Sequence, residues 1–179
     1  QYLALKIVEE LARIGVDTHV ILLGEGRLEE RFGEIARVHR FYDPSQDQEA
    51  ILRELRDDGA DLALANTAVA GRLVPQLKDA GFRVVSMVHE LPGVIEGFCL
   101  SESIRIIGEQ ADSIVVGSDA VKEGLRRYLP HTVMRRVVKR PQGLFTRSRL
   151  RWADDKILVE ARRRLRSNLG FPEDAFVVL

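Results

Sequence analysis

Apolar positions along this chain switch between two spacings. Tyr2, Leu5, Val8 and Leu11 recur at helical intervals, and Gly15 follows as a C-cap. His19 to Leu23 is a short apolar strand that Gly24 ends. The alternation then repeats. A short helix is expected at 27–35, a strand from Val38 to Tyr42, and a helix over 46–58 closed by Gly59. Asp61 to Ala65 reads as a strand and 68–79 as a helix closed by Gly81; a strand at 83–88 then runs into Pro92-Gly93, which predicts a turn. A helix over 100–110, a strand from Asp112 to Val116 and a helix over 119–128 follow. Val133 to Lys139 is strand-like, 154–169 is a basic helix, and Ala175 to Leu179 is a final strand.

Strands alternating with helices imply βαβ units, a mostly parallel sheet and right-handed crossovers. The expected fold class is therefore α/β, a Rossmann-like three-layer α/β/α sandwich. The central strands are continuous apolar runs, as strands covered on both faces are. The clearest boundary falls after Pro141-Gln142-Gly143, and Thr146 to Lys156 reads as a linker. A fold does not normally open inside an amphipathic helix, so a preceding strand and its loop are expected upstream of Gln1.

Composition narrows the function. The 27 Lys+Arg balance the 27 Asp+Glu, which argues against a nucleic-acid partner, because phosphate binding needs a basic excess. No apolar run approaches the roughly 18 residues of a membrane span. Cys99 is the single cysteine, which excludes an intrachain disulfide and favours a reducing, cytoplasmic setting. His19, His39, His89 and His131 lie far apart, with no metal-ligand spacing, so no metal is expected.

The candidate chemistry lies where strands stop. Asn66-Thr67, His89-Glu90 and Ser118-Asp119 each end an apolar strand, and ligands of open α/β sheets bind at that carboxyl edge. Thr67 and Ser118 have a plain alternative as N-caps of the next helices. His89 would be a poor cap, and with Asn66, Thr67, Glu90 and Ser118 it points to a polar cleft. Gly24-Glu25-Gly26 half-matches a dinucleotide fingerprint, but Glu29 holds the third glycine position and Glu25 would repel a pyrophosphate. The arginines from Arg147 to Arg166 fit a solvated helix face better than an anion site.

The segments 12–23, Asp61 to Asn66, Val88-His89-Glu90, Ala111 to Ser118, Arg140 to Gly143 and Leu165 to Leu179, in that order, resemble the N-terminal half of a GT-B glycosyltransferase of the family 4 type. The resemblance implies an acceptor-side domain at 1–145, then a linker, a helix and the first strand of a donor domain at 146–179. It implies transfer of a sugar from a nucleotide-sugar, a co-substrate rather than a cofactor, to a glycan, lipid or small hydroxylated acceptor, with retention of configuration. His89 would then be the catalytic-loop histidine. Asn66, Thr67, Glu90 and Ser118 would face the acceptor, and Gln142 and Gly143 would form the hinge toward the donor side. Peripheral membrane association belongs to the same expectation. A non-catalytic sugar- or nucleotide-binding module and a sugar-nucleotide epimerase of the same fold are the alternatives.

Overall fold

The computed structural model describes residues 2–141 and, beyond them, 159–160, 163–164, 166–168 and 170. The chain divides into two compact units, Gln1–Pro141 and Gln142–Leu179. In the second, the described residues other than Gly170 are helical. Gln142 and Gly143, read as a hinge, lie outside the described residues.

The first unit is α/β and its strand pairs are all parallel. Its elements are α1 (Tyr2–Arg13), β1 (His19–Leu22), α2 (Glu29–Gly33), β2 (Arg37–Arg40), α3 (Gln48–Asp57) and β3 (Leu62–Asn66). A 3-10 helix (Ala68–Leu73) leads into α4 (Val74–Asp79), then β4 (Arg83–Val88), α5 (Pro92–Gly97) and α6 (Ser101–Gln110). The unit ends with β5 (Ser113–Val116), α7 (Asp119–Leu125), α8 (His131–Met134) and β6 (Val137–Lys139). The strands form two sheets: β1 with β2, and β3-β4-β5-β6 in that order.

Side-chain alternation sorts the helices onto two faces, the Rossmann-like three-layer plan. Val20 and Leu22 of β1 pack on a cluster of Leu5 and Val8 from α1 and Phe32 from α2. Ile21 and Leu23 point the other way, to the main core, which holds Leu52 and Leu55 of α3. In the four-stranded sheet, Val84 and Val88 of β4 and Ile114 and Val116 of β5 are fully buried, as are Ile104 and Ile107 of α6. Leu62 and Leu64, on the opposite face of β3, are 54% and 43% exposed, so coverage of both faces does not extend to this strand.

Helix ends follow local chemistry. Gly15, Gly59 and Gly81 take positive φ just past α1, α3 and α4, where a β-carbon would be strained. Three expectations are corrected. Pro92-Gly93 opens α5 instead of a turn, because proline at N1 gives up only an N–H that has no helical partner there. The helix expected over 68–79 splits, since Pro75 has no N–H to offer the Gly71 carbonyl one α-turn back. The strand expected from Val133 starts only at Val137, because residues 131–134 coil after Pro130 and bury Met134.

Candidate functional site

The adjacent parallel order of β3, β4 and β5 brings Asn66, His89 and Ser118 to one carboxyl edge. Register aligns Asn66 with Met87, and Val88 with Val116. His89 therefore lies one residue beyond its strand, and its imidazole reaches sideways. Its Nε2 is 2.9 Å from Asn66 Oδ1, and with the amide so oriented Nε2–H donates. That bond selects the tautomer with the Nδ1 lone pair. His89 is half-buried, and burial pushes its pKa below the ordinary histidine value, while the Glu90 carboxylate opposes the shift.

Glu90 turns back on the chain, and its Oε2 accepts from the His89 backbone N–H at 2.9 Å. The carboxylate thus satisfies the amide where the strand ladder stops. Thr67 anchors the other side: its N–H donates to the Met87 carbonyl at 2.8 Å. Its backbone sits at φ 77° and ψ 158°, a region that only glycine occupies comfortably. Strain of this kind gathers at functional sites and is held by the surrounding structure. Thr67 makes no cap bond to the following helix, whereas Ser118 does, its Oγ accepting from Val121 N–H at 3.3 Å. The capping reading holds for Ser118 and fails for Thr67.

Sequence reasoning missed three basic residues at this edge. Arg72, just beyond β3, donates from Nη2 to the Leu23 carbonyl at 2.9 Å and has no carboxylate partner among the described residues. Lys139 closes β6 and pairs with Asp119 at 2.6 Å. Arg140 N–H continues the ladder to the Val116 carbonyl. The available signal was positional: Lys139 and Arg140 stand at and just past the end of β6, and Arg72 lies in the 3-10 helix after β3, much as His89 stands just past β4.

The edge offers an imidazole whose Nε2 is held by Asn66, an amide, a hydroxyl and a carboxylate. That set suits hydrogen bonding to a polyhydroxylated ligand. A cavity of about 560 Å³, lined by Gly26, Arg27, Glu29 and Arg40 among others, contains none of these groups. There, Arg40 and Tyr42 hold the Glu29 carboxyl below its usual range, an arrangement that fastens α2 to β2. His19 Nδ1 and His39 Nε2 stand 3.0 Å apart on the neighbouring strands β1 and β2. Among the described residues no group of three or more His, Cys, Asp or Glu could hold a metal, and no helix is long and apolar enough to cross a membrane. Comparison with protein-family models, curated proteins and solved structures finds no match to this chain.

Proposed function

We propose that the chain is the acceptor-side domain of a GT-B glycosyltransferase that moves a sugar from a nucleotide-sugar to a hydroxylated glycan, lipid or small-molecule acceptor. One observation carries the reading: a half-buried His89, held by Asn66, at the carboxyl edge where α/β sheets bind ligands. The sequence resemblance supplies the reaction. In it the bond from the anomeric carbon to the donor phosphate breaks, and a bond to the acceptor oxygen forms on the same face. The acceptor proton passes to the departing diphosphate. His89 hydrogen-bonds the reacting sugar or acceptor, and a neutral ring there adds no positive charge against an oxocarbenium-like transition state. Asn66 positions that ring, while Thr67, Glu90 and Ser118 shape the acceptor edge.

The test is a panel of nucleotide-sugars offered to the full-length protein, with nucleoside-diphosphate release followed in the presence of acceptors. Turnover with one donor is expected, and His89→Ala should slow it by about 10²-fold or more. Wild-type rates in His89→Ala would refute the role of His89. Binding without release under all conditions would refute the transferase and leave a binding module.

A further inference from the structure

We propose that His19 and His39 form a proton-operated latch between β1 and β2, closed by one N–H shared between the two rings and opened when both rings carry a proton. The latch uses none of the candidate-site residues and does not depend on the transferase reading.

The rings meet edge to edge. His19 Nδ1 and His39 Nε2 are 3.0 Å apart, the ring centres are 5.3 Å apart, and the planes differ by 15°. A five-membered ring of partial double bonds, each about 1.33 Å, has a radius of roughly 1.1 Å. One radius at each end, added to the N···N distance, accounts for the separation of the centres. Both nitrogens therefore lie on the line between the centres, with their in-plane lone-pair axes aimed at each other. That is the geometry of a straight N–H···N bond and not of face-to-face stacking. A metal ion on the same line would need about 4 Å between the nitrogens.

Sheet register builds this arrangement. His19 is opposite Arg37 and Ile21 is opposite His39, so the two histidines are diagonal neighbours on one face. It is the face of Ile21 and Phe41, toward the main core and α3, whereas Val20, Leu22 and Val38 turn to α1 and α2. Both histidines are half-buried. The charges that act on His39 are His19, Glu54 of α3 and Arg37 of β2, and Asp17 stands 3.4 Å from Arg37. Burial, and after it the charge on His19, pushes the His39 pKa below the ordinary histidine value; Glu54 opposes the shift and Arg37 adds to it.

Proton counting sets the behaviour. Two neutral rings share one bond, donor to acceptor. One added proton keeps that bond, because an imidazolium N–H still finds the lone pair of the other ring, and charge-assisted bonds are the stronger kind. A second proton removes the last acceptor and leaves two N–H groups and two positive charges face to face. The sign follows from the depressed value of His39: stability is present above the ordinary histidine range and is lost as pH falls through the folded value. The element that yields is β2. Among the described residues it pairs with β1 alone, over four residues, so local opening is cheap. The exposed Arg37–Asp17 pair beside the latch adds little.

The experiment follows amide hydrogen exchange and imidazole nitrogen shifts by NMR in the 179-residue chain, between about pH 7.5 and about pH 5. The Phe41 amide bonds to the Leu22 carbonyl at the end of the β1–β2 ladder. Corrected for intrinsic rates, it should exchange at least about 10-fold faster at the lower pH, the factor that an interaction of one pH unit between two sites implies. The Thr67 amide, bonded to the Met87 carbonyl in the other sheet, should keep its rate. The rings should take up their protons in two steps at least about one pH unit apart. His19→Asn alone should leave His39 with a single step at higher pH. The double variant His19→Asn/His39→Gln places amides that do not titrate at the two ring-nitrogen positions and should abolish the pH dependence of Phe41 exchange. The latch is refuted if Phe41 exchange does not change with pH, if the double variant keeps the change, or if the two rings titrate together in one step. It is equally refuted if Thr67 opens in parallel with Phe41, which would mark acid unfolding of the whole unit.

Discussion

Gly71 sits in the 3-10 helix that follows Asn66 and Thr67, and it is the point where that helix touches α6. A β-carbon there would stand 2.5 Å from the Ser103 carbonyl oxygen and 3.0 Å from two Ile107 carbons. Ordinary contact begins at 3.4 Å, so backbone must retreat from backbone by roughly 0.9 Å. Overpacking of this kind costs about 1–3 kcal/mol, and a backbone obstacle places it near the top. Stiffening of the unfolded chain returns about 0.4–1 kcal/mol, because Gly71 has no positive φ to protect. Gly71→Ala should therefore destabilise by about 2 kcal/mol. Gly108→Ala is the control. Its β-carbon meets Leu129 Cδ2 at 2.4 Å, the far end of a flexible side chain, and it gains about 1 kcal/mol of helix propensity. The two effects nearly cancel. Urea unfolding with a slope of about 2 kcal/mol/M would show the Gly71→Ala midpoint about 1 M lower, with Gly108→Ala close to the parent. A Gly71→Ala midpoint at or above that of Gly108→Ala would refute the reasoning. It would also mean that the close approach behind Asn66 and Thr67 is not what positions the site.

Other outcomes follow from single groups. Asn66→Ala should turn the His89 ring from a predominant Nε2–H tautomer into a mixture, read from imidazole nitrogen shifts, at a cost of about 1 kcal/mol or less; an unchanged tautomer would remove Asn66 from the site. Thr67→Gly should raise stability by up to about 1 kcal/mol in thermal unfolding, since relief of about 1–3 kcal/mol of backbone strain exceeds the entropy cost of glycine. Ser86→Ala should be stabilising by about 1 kcal/mol in urea, because the Ser86 hydroxyl is fully buried and makes no hydrogen bond among the described residues. Lys78 and the Val84 N–H hold the Asp112 carboxyl below its ordinary value. A depressed folded-state value means stability that is present above the usual carboxylate range and lost as pH falls through the folded one. Asp112→Asn should flatten the acid limb of urea midpoints between about pH 5 and pH 2, and an unchanged limb would contradict the linkage.

Local chemistry alone determined a large part of this protein. The alternation of elements, the glycine C-caps at Gly15, Gly59 and Gly81, and the strand ends at Asn66, His89 and Ser118 are legible because each depends on residues within one or two turns. The errors arose where one signal admits two local structures, as with Pro92-Gly93 opening a helix. Only the tertiary structure decided the rest. The bond from His89 to Asn66 spans 23 positions in sequence and exists because β3 and β4 pair in one register. No spacing rule distinguishes Ser118, which caps its helix, from Thr67, which is held in a strained conformation by a bond to the next strand. Among the described residues six parallel strands pair as two sheets, and which edges find partners is not written in any local run of residues.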